Sequence, residues 1–491
     1  LRTQEKKLGQ ENPTSVIVWF RNDLRLADHA ALAAAVEADA KIFPVYILEE
    51  TVAGGRELGG ASKWWLDKSL KSLRSAISQR GGKLICRKGD AEKILRDLVS
   101  ETGADAVFWG RRYTQPEMDR DADIKRALQD DGIEAKSFNT CLLTEPWSYQ
   151  TKSGGYYKVF TPYWRAVRSS FEAPDPMQAP ETFAGVGIDG DEIESWELHP
   201  SKPDWSKGFD EMWTPGEEGA QVRLQDFLDG PIREYEEMRN RPDEDGTSGL
   251  SPHLHHGEIS PATVWRAVMG RINRGLQEEE SAWSFLSEIV WREFSYVLIY
   301  HNPKMGRENY DSKFNKMEWR SSKKDLELWQ RGQTGYPIVD AGMRQLWATG
   351  WMHNRVRMIV ASLLTKHLLL NWTAGEDWFW DTLVDADPAS NAAGWQWTAG
   401  SGADASPYFR VFNPITQGQK FDQTGAYVRK WCPELNKLPN KYLHAPWEAG
   451  RDVLKKAGIE LGKTYPRPII EHKQGRQRAL DAWETLKGKQ D

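Results

Sequence analysis

Cysteine is scarce in this sequence: three among 491 residues, at Cys86, Cys141 and Cys432. They are odd in number, far apart and without metal-ligand spacing, which argues against a disulfide framework, a zinc site or an iron–sulfur cluster. Such usage fits a reducing compartment, and the expectation is a cytoplasmic protein. No apolar run approaches the roughly 18 residues of a membrane span. The opening Leu-Arg-Thr-Gln-Glu-Lys-Lys has no apolar core and does not read as a signal peptide. An excess of positive charge is missing too: the net charge is −6, so nucleic-acid binding has to be local. No Gly-x-Gly-x-x-Gly follows the first strand, which removes the dinucleotide fingerprint there. Internal repeats and low-complexity arrays are also absent.

What is abundant is tryptophan. There are 24, and eleven of them lie between positions 283 and 397. Packing explains most, since an indole buries a large area and needs only one acceptor. So many in one segment also suit stacking on an aromatic cofactor or passing electrons. The remaining composition, 39% hydrophobic and 28% charged, is ordinary, and the length suffices for two or three domains.

Residues 1–14 are polar and read as disordered. Apolar, β-branched runs at 16–20, 42–48, 84–87 and 106–109 predict buried strands, with 133–138 as a fifth. Helical patterns near 30–38, 61–80, 90–102 and 116–131 separate them. This alternation predicts a Rossmann-like α/β domain with a parallel, doubly wound sheet over 15–145. Residues 146–228 contain few strong helices, and 170–219 is rich in Pro, Asp, Glu and Gly, so the stretch reads as a linker. From 229 to 491 the pattern is helical almost throughout.

The segment 351–397 holds the densest chemistry. Trp351 to Met358 opens a helix with an apolar stripe at Ile359, Val360, Leu363, Leu364 and Leu368; Asn354 and Met358, four apart, share one face. Residues 385–391, Asp-Ala-Asp-Pro-Ala-Ser-Asn, have many turn-formers and read as a polar loop before Trp395 and Trp397. Elsewhere, Thr247-Ser-Gly-Leu-Ser251 suits either a phosphate cradle or an ordinary helix cap. Glu288 and Arg292, four apart around Trp291, suit either a surface ion pair or a recognition face, and Asp340 and Arg344 repeat that spacing in a structural setting. Between 331 and 372 stand Arg331, Arg344, Arg355, Arg357 and Lys366 against the single acid Asp340. That stripe either steers a polyanion or is a solvated helix face.

In one order the chain carries Thr-Ser-x-Leu-Ser, Trp-Arg-Glu-Phe, Thr-Gly-Tyr-Pro-Ile-Val-Asp-Ala, Met-His-Asn-Arg-x-Arg-Met, Asp-x-Asp…Asn and Trp-Gln-Trp. With these motifs it resembles the photolyase/cryptochrome flavoproteins, and within them the microbial cyclobutane-pyrimidine-dimer photolyases. The likeness continues through residues 407–414 and the Tyr465-Pro end, and includes Trp-Phe-Arg-Asn-Asp-Leu-Arg-Leu near the start.

The resemblance implies FAD folded in a helical domain that spans 229–491. Tyr235, Thr247, Ser248, Leu250 and Ser251 would hold its phosphates. Arg357 would pair with Asp385 beside the ring, Asp387 would meet the ring's polar edge, and Asn391 would face flavin N5. Gly249 stands where the family usually has Arg, so that phosphate contact is either missing or supplied by His255 or His256. Trp291 and Trp397 would wall the flipped thymine dimer, with Glu288 on its base edge. Asn354 and Met358 would form the floor, where (6–4) photolyases place histidines, and Arg292 and Arg355 would meet DNA phosphates. Trp395, Trp372 and Trp319 would pass electrons inward to oxidised flavin. The implied activity is light-driven: photoexcited FADH⁻ gives an electron to the dimer, the ring splits and the electron returns. An antenna chromophore is implied as well, methenyltetrahydrofolate first and 8-hydroxydeazaflavin second. Residues 59–65 offer either an indole for it or a plain helix start. UV-damaged DNA is the implied partner, the protein a monomer with no obligate protein partner. The alternatives are a cryptochrome-type signalling photoreceptor, a (6–4) photolyase, and a plain flavin oxidoreductase or DNA-binding module.

Overall fold

A computed structural model describes residues 12–49, 53–183 and 188–488. Most of the polar N-terminal stretch expected to be disordered lies outside them. The chain begins with β1 (Ser15–Phe20), α1 (Ala30–Glu37), β2 (Lys41–Leu48), α2 (Gly60–Ser78), β3 (Ile85–Lys88), α3 (Ala91–Thr102), β4 (Ala106–Gly110), α4 (Gln115–Asp130) and β5 (Glu134–Phe138). All strands are parallel, in the order β3-β2-β1-β4-β5. The sheet is therefore wound outward both ways from β1, as the alternation predicts.

The apolar content of β1 explains its central place. Val16, Val18 and Phe20 point into one hydrophobic layer, and Ile17 and Trp19 into the other. A strand covered on both faces needs this unbroken run. The helix α3 has the expected ends: Asp90 accepts from the Lys93 N–H at 2.9 Å, and Gly103 closes it in the left-handed conformation.

Besides short helical turns at Ile193–Trp196 and Phe209–Met212, the stretch read as a linker holds two longer helices, α5 (Phe160–Ser170) and the helix Glu217–Asp229. Both bury apolar faces in a cluster built on the helix Glu279–His301. A second cluster gathers the helices Pro337–Thr349, Asn354–Ser362, Trp372–Thr382 and Pro388–Ala399. The site lies between these two cores. Among the described residues no helix is long and apolar enough to cross a membrane, and no cluster of His, Cys, Asp and Glu could hold a metal ion. All three cysteines are free and buried.

The expected polar loop at 385–391 is corrected by the structure. A helix starts at Pro388, with Asp387 as its cap, accepting from the N–H groups of Ala389 (3.0 Å) and Ser390 (2.7 Å). Asp followed by Pro is a turn-former in isolation, but it is also a cap with proline at the first helical position. Asn391, Trp395 and Trp397 therefore stand on one rigid helix.

Candidate functional site

A cavity of about 550 Å³ opens between the two helical cores, a size usual for a bound organic molecule. Tyr235, Ser248, Leu250, Ser251, Arg357, Asp385, Asp387, Asn391 and Trp395 line it. So do Glu288, Trp291, Arg292, Asn354, Arg355, Met358 and Trp397. Thr247, Trp372 and Trp319 do not.

The polar side pairs charge with charge. Arg357 donates to both oxygens of Asp385, at 3.0 and 2.8 Å, and the Ser251 hydroxyl donates to the same carboxylate at 2.6 Å. Asp387 accepts from the Tyr296 hydroxyl at 2.6 Å besides capping its helix. Burial opposes its charge, but His255, Arg292 and Tyr296 together hold its carboxyl well below the usual range. The Asn391 amide nitrogen donates to the side chain of Glu376 at 2.7 Å and to its carbonyl at 3.1 Å. Of the buried lining atoms, Trp395 Nε1 has no partner in the protein, and His255 Nδ1 makes no hydrogen bond there, only a 3.6 Å approach to Asp387. Unpartnered polar atoms in a cavity wall fit a polar, aromatic cofactor such as a flavin.

On the other side, Trp291 stacks on Phe160 with ring centres 3.6 Å apart and planes 9° apart. Its other face turns to the cavity, with Trp397 also in the lining. Glu288 does not pair with Arg292. Its partner is Arg239, 2.6 Å away, and burial pushes its carboxyl up against the pull of that guanidinium. Arg292 turns inward, donating to the carbonyl of Cys141 at 2.8 Å and to Glu293 at 3.1 Å. That orientation does not fit the phosphate contact expected of it; the helix places its guanidinium against the α/β domain. Arg355 remains at the rim, its Nε donating to Asn240 at 3.2 Å. Asn354 and Met358 share the cavity face, as their spacing requires.

Three further expectations change. Lys366 is fully buried, its ammonium on the Ala399 carbonyl at 2.7 Å, and Arg344 pairs with Glu434 at 2.8 Å, so the basic residues of 331–372 form no single polyanion stripe. His256 stacks on Trp65 and meets the Val384 carbonyl at 3.2 Å, away from the cavity. Gly249 has φ +60°, and a Cβ there would lie 2.5 Å from Arg223 Nη1, so that guanidinium fills the place of a larger side chain. The indoles of Trp64 and Trp65 are completely buried in a cluster with Phe209 and Trp213, which removes them as a stacking platform for an antenna. Before them, Gly59 and Gly60 meet the helical domain directly. A Cβ on Gly59 would lie 2.1 Å from the Trp380 carbonyl oxygen, and the Gly60 N–H donates to Asp381 at 2.8 Å.

Of the three indoles expected to pass electrons, Trp395 is 3% exposed, Trp372 is buried and Trp319 is partly buried. Trp372 is fixed by a 2.9 Å bond to Asn309.

His353 caps the helix Asn354–Ser362 by accepting the Arg355 N–H at 3.2 Å. Burial, then Arg355 and Arg357, push its imidazole down to about 3. Burial takes His367 to about 3 as well. Unfolded histidine binds a proton near pH 6.5, so from there down to about 3 only the unfolded chain is protonated. Stability is therefore full above pH 6.5 and falls as pH drops, by up to about 1.4 kcal/mol per pH unit for each imidazole. Urea unfolding at pH 7 and pH 5 measures this. His353→Asn, which keeps a capping oxygen, is expected to flatten the slope; an unchanged slope would exclude His353 as a source.

Sequence reasoning did not find Arg239, Asn240, Phe160 or Glu376. Each reaches the site from a distant segment and has no motif of its own.

Comparison with known proteins agrees with this geometry. The family model described as the FAD binding domain of DNA photolyase matches residues 285–485, and the DNA photolyase model matches 16–181. A deoxyribodipyrimidine photo-lyase of Agrobacterium fabrum is 55% identical over 96% of this chain and 98% of its own length. Cryptochrome-1 of Arabidopsis thaliana is 38% identical over 95% of this chain and 70% of its own. The crystal structure of a bacterial class III photolyase from Agrobacterium tumefaciens superposes with a TM-score of 0.94 at 53% identity, covering 99% of this chain and 100% of that one. With a parallel five-stranded domain, a helical FAD-binding domain and relatives of this closeness over nearly its whole length, the chain belongs to the DNA photolyase/cryptochrome family.

Proposed function

We propose that this protein is a light-dependent repair enzyme that splits cyclobutane pyrimidine dimers in UV-damaged DNA. The observation that carries this reading is the composition of the cavity: Glu288, Trp291, Asn354, Met358 and Trp397 share it with Asn391 and Trp395. When bound, reduced FAD supplies a light-driven electron to the dimer and takes it back.

The chain's residues divide the remaining work. Ser248, Ser251 and Tyr235 line the side assigned to the cofactor's phosphates. The Arg357–Asp385 pair and Asp387 fix charge beside the ring. Trp291 and Trp397 offer flat walls to a flipped lesion, whose two stacked-out bases need apolar cover. Glu288 is placed for the base edge, and Arg355 at the rim for DNA phosphate. Asn354 and Met358 cannot donate a proton in turn, which favours the cyclobutane dimer over the (6–4) photoproduct. His353, next to Asn354 in the chain, is turned into its helix cap. Trp395, Trp372 and Trp319 form a path of indoles from the cavity outward. Methenyltetrahydrofolate remains the first antenna and 8-hydroxydeazaflavin the second, with residues 15–145 as the antenna domain. The enzyme works as a monomer.

Similarity to Arabidopsis cryptochrome-1 supports a second reading, a blue-light signalling photoreceptor on the same flavin site. Loss of thymine dimer from an oligonucleotide under blue light, with a dark control and a (6–4) substrate, separates the readings. Repair of the dimer in light alone is expected. No repair by protein with bound, photoreducible FAD moves the chain to the photoreceptor. Glu288→Ala leaves Arg239 unpaired and the base edge unbonded, and is expected to weaken binding of dimer DNA by about tenfold. Equal affinity in a binding titration would remove Glu288 from the lesion contact.

A further inference from the structure

A side chain of the α/β domain reaches the residue that holds Asn391. Arg56 lies just before α2, and its Nη1 donates to both oxygens of Glu376, at 2.8 and 2.9 Å. Its Nη2 donates to Asp377 at 2.6 Å, and its guanidinium lies 4.5 Å over the Trp380 ring. Arg307 adds a 3.1 Å contact to Glu376 from the helical domain, but is more exposed, at 56% against 32% for Arg56. Glu376 itself is 2% exposed. Its Oε1, held by Arg56, is the same atom that accepts from the Asn391 amide.

This geometry fixes which way the Asn391 amide points. Its nitrogen has two acceptors on one residue, the carboxylate and the carbonyl of Glu376. Turning the amide over would set its oxygen against both, with no donor between them. The nitrogen is thus used, and the oxygen is left to the cavity that Asn391 lines. An amide oxygen accepts from an N–H and repels a bare nitrogen lone pair. Facing flavin N5, it favours that nitrogen protonated, as in the reduced cofactor, over the unprotonated nitrogen of the oxidised one. The arrangement holds only while Glu376 stays an acceptor. Burial works against its charge, and Arg56 is the strongest of the groups that restore it.

We propose that Arg56 is a positioning residue for the flavin: through Glu376 it holds the Asn391 amide oxygen toward N5 and so stabilises the reduced cofactor. This rests on the reading of Asn391 as the N5 neighbour. It couples the α/β domain to the redox state of a pocket that domain does not line.

The test uses full-length holoprotein as wild type, Arg56→Gln, Arg56→Lys, Asn391→Cys and the Arg56→Gln/Asn391→Cys double variant. Each is reduced anaerobically by light and a chemical donor. Air is then admitted in the dark and flavin absorbance followed, with FAD content and Tm measured alongside. Arg56→Gln is expected to re-oxidise about three- to tenfold faster, the factor one hydrogen bond in such a network supports. Arg56→Lys restores most of the wild-type rate, and the double variant is no faster than Asn391→Cys alone. Wild-type behaviour of Arg56→Gln with a fast Asn391→Cys overturns the relay and leaves the Asn391 reading intact. An unchanged Asn391→Cys overturns the Asn391 reading and the relay with it. Additive acceleration in the double variant means Arg56 acts by another route, and also overturns the proposal.

Discussion

Trp395→Phe is expected to abolish light-driven reduction of bound flavin while dimer repair by chemically reduced protein continues. Trp395 lines the cavity and is edge-on to Phe379 at 5.0 Å and to Trp329 at 6.0 Å. Its indole fits because Gly375 has no side chain; a Cβ there would come within 2.1 Å of the ring. A phenyl ring keeps the apolar contacts but is far harder to oxidise than an indole, so the path from Trp372 inward is broken at its first member. The structural cost is small. Trp395 Nε1 has no partner to lose, and the smaller ring leaves a cavity worth about 1–2 kcal/mol, well below a full truncation to alanine. Bleaching of flavin absorbance under blue light with an external donor reads the first effect, and repair after chemical reduction reads the second. Bleaching at the wild-type rate would show that electrons enter by a route without Trp395.

The second large effect concerns stability, at Asp340. Its spacing to Arg344 suggests an ion pair, but the structure gives the acid a different task. Asp340 is completely buried and accepts from the Thr334 N–H (2.7 Å), the Thr334 hydroxyl (2.6 Å), the Gly335 N–H (3.0 Å) and the Tyr465 hydroxyl (2.8 Å). It therefore ties the turn before the helix Pro337–Thr349 to the C-terminal segment. Asp340→Ala strands four donors in a dry interior and is expected to cost about 3–5 kcal/mol. Asp340→Asn keeps one acceptor but turns an N–H₂ toward other donors, so it falls between. Urea unfolding measures both. A loss under about 1 kcal/mol for the alanine variant would mean that water replaces the carboxylate.

Much of this was legible in the sequence, for identifiable reasons. The strands of the sheet are covered on both faces, so β1 and β2 read as unbroken apolar runs, and their spacing declares the crossovers. The cavity side chains fell on motifs whose order the chain preserves. What stayed hidden was set by contacts distant along the chain. Arg239 lies 49 residues before its partner Glu288, and Arg56 lies 320 before Glu376; no local pattern joins them. The Glu288–Arg292 pair did not form because i,i+4 spacing gives only an opportunity, whereas tertiary packing gave the Arg292 guanidinium the Cys141 carbonyl. The loop expected at 385–391 failed differently, since Asp387-Pro388 has one composition for a turn and for a helix start. In the linker, Phe160, Tyr163 and Val167 did carry helical spacing, and Ala220, Leu224 and Phe227 repeat it. A shorter window would have found both helices.

The glycine contact between the two domains limits how such proteins can be recombined. Gly59 lies against the Trp380 carbonyl with no room for a single methyl group, and the Gly60 N–H is spent on Asp381. At Gly59 backbone meets backbone, so no rotamer change there can absorb a mismatch. A chimera that takes its sheet domain from one relative and its helical domain from another has to inherit the loop and the facing helix turn from the same parent.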